Sequence, residues 1–182
     1  SVLIKSNLIE HHRYGIYLEF VTHTQVIANT CEDNLRYGLH FMFSHDNEYR
    51  RNIFGNNGAG VAVMYTKRVK MIDNEFRDNW GSASFGLLLK DITDSEITSN
   101  RFDKNTVGVF MEGTSRSVFQ NNQFIRNGWG IKLQANCDEN VLKENNFQSN
   151  TFDIATNGTV VLNTLENNYW DKYEGYDLDR DA

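Results

Sequence analysis

The chain is predicted to fold as an all-β solenoid: a right-handed parallel β-helix with three sides and about 22 residues per coil. Three observations carry this expectation. An Asn recurs two places before an apolar or aromatic residue, at Asn7, Asn29, Asn52, Asn74, Asn100, Asn122, Asn145 and Asn167, with spacings of 22, 23, 22, 26, 22, 23 and 22 residues. In step with it a Gly opens a short alternating strand, as in Gly15-Ile-Tyr-Leu, Gly38-Leu-His-Phe, Gly60-Val-Ala-Val, Gly86-Leu-Leu-Leu, Gly108-Val-Phe-Met and Gly130-Ile-Lys-Leu. No stretch shows helical periodicity, and Pro is absent, which suits uninterrupted strand ladders. A fixed period also places residues one repeat apart side by side in space, so the repeat maps every other residue.

Each coil divides into three segments: an apolar strand such as Val69-Lys-Met-Ile72, the Asn-x-aromatic corner, and the Gly-opened strand. Stacked Asn side chains satisfy backbone groups at the corners and tolerate left-handed conformations there. A second polar column falls five residues later, at Asn34, Asn57, Asn79, Asn105, Asn127 and Asn150, with His12 in the first coil. Both ladders are read as structural. The inward pairs of the Gly-opened strand are Ile16/Leu18, Leu39/Phe41, Val61/Val63, Leu87/Leu89, Val109/Met111 and Ile131/Leu133, all apolar as a continuous core requires. The one long spacing comes from four extra residues within Gly81-Ser-Ala-Ser-Phe85, a loop expected on one edge. Residues 157–182 lose the pattern and are expected to form an irregular C-terminal cap over the open end. The whole of 1–182 is one domain's worth of material. Because Ser1-Val-Leu-Ile-Lys-Ser-Asn7 already reads as repeat, it is expected to be a fragment of a longer protein.

A net charge of −6 leaves no basic stripe for phosphates, which argues against a nucleic-acid partner. No run approaches 18 apolar residues, so no segment reads as a membrane span. Cys31 occupies a core position, and Cys137 lies about five coils on, roughly 20 Å away and too far for a disulfide.

Residues between the inward ones face outward. The column nearer each Gly is Tyr17, His40, Ala62, Leu88, Phe110, Lys132; the next is Glu19, Met42, Met64, Lys90, Glu112, Gln134. Met42 and Met64 are the two apolar members of the second column, and they are neighbours. In-register strands set them about 4.8 Å apart, with His40 on the same face two residues before Met42. One imidazole and two thioethers select soft ions, Cu(I) above all. Met71 and Met111 map to the interior and read as packing residues. His45, with Asp46, closes the His40 strand and is a candidate helper; His23 lies at the equivalent corner one coil earlier. Leu88 and Phe110 extend the outward face as apolar residues, which suits a docking surface for another protein. The alternation Asp177, Asp179, Asp181 resembles part of a calcium loop but lacks its Gly and distal acid, and reads as a solvated tail. A rival reading is a carbohydrate-acting β-helix enzyme: a polysaccharide lyase, hydrolase or epimerase. Lys90, Asp91 and Glu112 would be its acid/base candidates, and Tyr17 and Phe110 its sparse aromatic platforms.

The strings Gly38-Leu-His-Phe-Met-Phe-Ser-His-Asp-Asn47, Asn57-Gly-Ala-Gly-Val-Ala-Val-Met-Tyr65, Asn79-Trp-Gly with Gly86-Leu-Leu-Leu-Lys-Asp91, Asn105-Thr-Val-Gly108, Asn127-Gly-Trp-Gly130 and Asn168-Tyr-Trp-Asp171 resemble the NosD family. The resemblance covers most of the chain and is densest from Tyr37 to Asp91. It implies a non-catalytic periplasmic right-handed β-helix that takes part in copper delivery to nitrous oxide reductase. Such a protein works with the ABC transporter subunits NosF and NosY and the copper chaperone NosL, and meets the membrane only through partner subunits. Carried over by position, it supports His40, Met42 and Met64 as a transit site for Cu(I).

Overall fold

The computed structural model describes residues 1–157 and 162–172. It is a three-sided parallel β-helix: two sheets of eight strands and one of seven, every strand paired in parallel with its counterparts one coil away. The first sheet contains Lys70–Ile72 and Glu96–Thr98, the second Glu75–Arg77 and Arg101–Asp103, and the third Tyr37–Met42, Ala59–Lys67 and Phe85–Thr93.

Left-handed residues at the corners end each short strand and turn the chain toward the next side. Asp73 (φ 55°), Asp78 (φ 55°) and Asp94 (φ 55°) do so within one coil. The turn leaves backbone amides facing inward, and the Asn ladders satisfy them. Asn29 N–H donates to Asn52 Oδ1 (2.9 Å), Asn52 N–H to Asn74 Oδ1 (3.0 Å) and Asn74 N–H to Asn100 Oδ1 (2.9 Å). The second column behaves alike from Asn34 to Asn150, entered by His12 through its backbone N–H. A third column at the remaining corner escaped the sequence reading because its members are mixed: Thr24 to Asn47, then Ser95, Ser117, Asn140 and Asn163.

The core is a continuous column of apolar side chains. Phe54, Phe76, Phe102, Phe124, Phe147 and Trp170 stack ring on ring, with centroids 4.4–5.5 Å apart. Met71, Met111 and Cys31 are fully buried in it, as expected. Cys31 and Cys137 are free thiols. The recurring Gly has a steric cause. A Cβ on Gly86 would stand 2.7 Å from the carbonyl oxygen of Gly108 in the next coil, closer than real contacts allow. The four extra residues leave the strands around Gly81 before Phe85 rejoins the third sheet. Gly81 is tied there by reciprocal bonds to Thr106 Oγ1.

Two expectations need correction. The eighth ladder residue is Asn168, which accepts from Asn145 N–H at 3.0 Å, while Asn167 takes the left-handed corner at φ 52°. Residues 157–182 are not irregular throughout. Thr164–Glu166 and Tyr169–Trp170 continue the first and second sheets, because Asn163 and Asn168 still supply the corner bonds and Trp170 still fills the core. Asp177, Asp179 and Asp181 lie outside the described residues.

Candidate functional site

The outer face of the third sheet holds the candidate ligands. Met42 pairs in register with Met64, and His40 with Ala62, on the neighbouring strands Tyr37–Met42 and Ala59–Lys67. Burial alternates as the map requires: Phe41 and Val63 are fully buried, while Met42 and Met64 are partly exposed. Glu19 lies in register on the far side of Met42, and Lys90 on the far side of Met64. The methionine pair therefore sits between a carboxylate and an ammonium along the coil axis. The structure brings His40, Met42 and Met64 onto one face.

The strongest feature is His40. Its ring lies 5.9 Å from that of Tyr14, stacked; 5.4 Å from Tyr17, edge-on; and 5.0 Å from Tyr37, tilted. Both imidazole nitrogens are shut off from solvent and have no hydrogen-bond partner among the described residues. Leaving a buried polar group unpaired costs about 1–3 kcal/mol. Burial lowers the pKa of the imidazole below 6.5, the Arg36 guanidinium adds to the shift, and Glu19 opposes it. The ring is accordingly held toward its neutral form, the form that ligates metal. Arg36 Nη1 donates to the Tyr14 hydroxyl (3.0 Å) and its guanidinium lies over the Tyr14 and Tyr37 rings, so the cage is braced from outside.

Sequence reasoning missed Tyr14 and Tyr37, which open their strands one place before the Gly. It also missed a second aromatic array immediately after the methionines. Phe20, Phe43 and Tyr65 occupy left-handed corner positions (φ 54°, 48° and 54°), and their exposed rings stack at 5.2 and 5.1 Å. The signal was present as Glu19-Phe, Met42-Phe and Met64-Tyr at one-period spacing, but alternation alone assigned those corner residues to no face. Outward aromatics are therefore not sparse. Leu88 and Phe110 are only half-exposed, and Phe110 packs against Phe85 at 5.0 Å; Ala62, between His40 and Leu88, is fully buried.

His45 stands apart from the triangle. It lies three residues beyond Met42 and past the left-handed corner at Phe43, and its Nδ1 accepts the backbone N–H of Lys67 at 3.3 Å. His23 is exposed on its own left-handed corner, equivalent to that of Asp46, whose carboxylate is paired with Arg68 at 2.5 Å. A cleft of about 570 Å³ runs along that corner past His23, Asp46, Glu48, Arg68 and Lys70. Lys70 is paired with Glu96 at 3.2 Å, and none of His40, Met42, Met64 and His45 lines the cleft. Lys90 and Glu112 pair at 3.5 Å, while Asp91 turns away from them at its corner. Among the described residues, no three His, Cys, Asp or Glu side chains converge as a metal cage.

The A-module of the mannuronan C-5 epimerase AlgE4 from Azotobacter vinelandii superposes with a TM-score of 0.79 at 16% identity, covering 92% of this chain and 52% of that one. The corresponding values are 0.75, 13%, 92% and 57% for the A-module of AlgE6 from the same organism. A mutant of the periplasmic alginate epimerase AlgG gives 0.73, 14%, 91% and 50%. The chain spans about half the length of these structures, and at such identities they share its fold. No curated protein matches it. Residues 1–175 match the family described as "Periplasmic copper-binding protein (NosD)", and over nearly its whole length the chain belongs to the NosD family.

Proposed function

We propose that the chain is a non-catalytic periplasmic carrier that holds Cu(I) transiently at Met42, Met64 and His40. It would pass the ion toward nitrous oxide reductase, in concert with the ABC transporter subunits NosF and NosY and the chaperone NosL. One observation carries this reading. Two thioethers stand in register on adjacent strands, and the imidazole beside them on the same face has two buried, unpartnered nitrogens. Thioether and imidazole ligands suit a soft monovalent ion, and three of them on an exposed sheet face permit release. Hard ions that favour carboxylate oxygen find no cluster of three Asp or Glu side chains among the described residues. His45 is given no place in the first coordination sphere, because its Nδ1 is already engaged. The test is anaerobic Cu(I) titration against a chromophoric chelator. Met42→Ala/Met64→Ala is expected to weaken binding by about 100-fold, close to 2.8 kcal/mol. Unchanged affinity in the double variant would remove the site.

A second reading, a carbohydrate-acting enzyme, is favoured by the Lys90–Glu112 pair and the exposed rings on the same side of the molecule. The ring geometry argues against it. Phe20, Phe43 and Tyr65 stack within 10° of parallel, so both faces of Phe43 and one face each of Phe20 and Tyr65 are covered, whereas a sugar packs on a ring face. Incubation with polymannuronate is expected to leave the anomeric proton NMR signals unchanged and to release no unsaturated product. Turnover abolished by Lys90→Ala would establish the enzyme instead.

A further inference from the structure

The three rings around the His40 imidazole differ in exposure. Tyr17 is the outermost of the three rings around His40; it is 48% exposed, whereas Tyr14 and Tyr37 are half-buried. It pairs in register with His40 from the preceding coil and meets the imidazole edge-on at 5.4 Å. Its hydroxyl donates to Glu19 Oε2 at 3.1 Å. Glu19 is in turn the register partner of Met42. The carboxylate that tethers the covering ring therefore lies next to the position where a cation would arrive.

We propose that Tyr17, tethered by Glu19, is a gate over His40 that opens when Cu(I) reaches the Met42–Met64 pair. The proposal rests on the copper reading above. The two thioethers are partly exposed and meet the ion first. Its positive charge draws the Glu19 carboxylate toward Met42, which competes with the Tyr17 hydroxyl for the same oxygens. Once released, the Tyr17 ring swings off the imidazole, and His40 becomes the third ligand. In the absence of copper the nitrogens stay covered, which keeps competing protons and borderline divalent ions from the imidazole. Tyr17 and Glu19 act here as positioning residues and make no bond to the ion. Tyr14 and Tyr37, braced by Arg36, stay in place as the fixed wall.

The gate can be tested without copper, through carbethoxylation of the histidines by diethyl pyrocarbonate, mapped by mass spectrometry on the intact chain. His11 and His12 are exposed and serve as internal references. In the wild type His40 is expected to react at least about tenfold more slowly than either, as for a covered group whose open state is a minor population. Tyr17→Ala is expected to bring His40 close to the reference rate, and Glu19→Ala and Tyr17→Phe, which keep a ring but lose the tether, to fall between. Circular dichroism checks that each variant keeps its strands. In stopped-flow transfer from a Cu(I) chelator, Tyr17→Ala is expected to load faster than wild type. Full reactivity of His40 in the wild type, continued protection in Tyr17→Ala, or unchanged loading kinetics would each overturn the gate. The variant Met42→Ala/Met64→Ala separates the two readings. It should leave the copper-free labelling pattern as in wild type while weakening Cu(I) binding; undiminished Cu(I) affinity in this variant, with His40 still protected, fails the copper reading alone.

Discussion

Asn100→Ala is expected to lower the unfolding free energy by roughly 3–5 kcal/mol, as measured by urea denaturation. Asn100 is 1% exposed, and its side chain serves two coils at once. Oδ1 accepts from the Asn74 backbone N–H (2.9 Å) and from Asn74 Nδ2 (3.0 Å), while Nδ2 donates to Met71 O (2.9 Å) and Asn122 Oδ1 (3.1 Å). Truncation leaves the Asn74 amide buried with no acceptor. Asn74 Nδ2 keeps only its bond to Tyr49 O, and Asn122 Oδ1 only the Asn100 N–H. An unsatisfied buried group costs about 1–3 kcal/mol, and the loss is shared among several such groups. The control is Asn56→Ala. Asn56 is exposed and bonded to an exposed partner, Asp33, so the change should cost only about 1 kcal/mol, set by placing Ala at a left-handed φ of 48°. Equal losses at the two positions would mean that the ladder does not hold the coils together.

That contrast shows which parts of the molecule were legible in the sequence. The ladders through Asn29 and Asn34 could be read because one residue type repeats at a fixed step, and a corner that needs both a donor and an acceptor on a short side chain selects Asn each time. The third column could not, because Asn47, Ser95 and Asn140 accept the corner amides with different side chains. The register of Met42 with Met64 was legible for the same periodic reason. The cage around His40 was not. Tyr14 and Tyr37 stand before the Gly, where the strand had not been taken to begin, and whether a partly exposed ring covers its neighbour depends on rotamers that no spacing encodes. The aromatic stack at Phe20, Phe43 and Tyr65 was hidden by left-handed corners, which reset the in–out alternation after Glu19, Met42 and Met64. The slip from Asn168 to Asn167 is of the same kind: two adjacent Asn residues fit the pattern, and packing of Trp170 on Phe147 at 4.4 Å decides between them.

The other large effect is expected from Phe102→Ala, about 4–5 kcal/mol of stability. The ring is fully buried and is sandwiched between Phe76 (centroids 4.6 Å, planes 7° apart) and Phe124 (4.9 Å, 5°). Its removal opens a cavity of aromatic size in the core, where the neighbouring coils are held apart by their own backbone ladders and cannot close in. Both ring stacks are lost with it. Phe43→Ala removes an equally large ring that also touches two others, but on the surface and from a strained left-handed position. Its cost should be only about 1 kcal/mol, since loss of a partly exposed ring leaves no buried cavity, and Ala keeps the Cβ and with it the left-handed strain. A solenoid is nearly one-dimensional, and damage at one coil weakens its neighbours most. Hydrogen exchange in Phe102→Ala should therefore quicken first in the strands Glu75–Arg77, Arg101–Asp103 and Gln123–Ile125. The Met42–Met64 pair lies on strands two and three coils nearer the N-terminus, at least about 10 Å away along the stack. Distant sites contribute independently, so where the variant remains folded its Cu(I) affinity should equal that of wild type, even as its denaturation midpoint falls. A matching drop in affinity would show that the face carrying the sulphurs depends on the whole column of rings, and not on the local pairing of two strands.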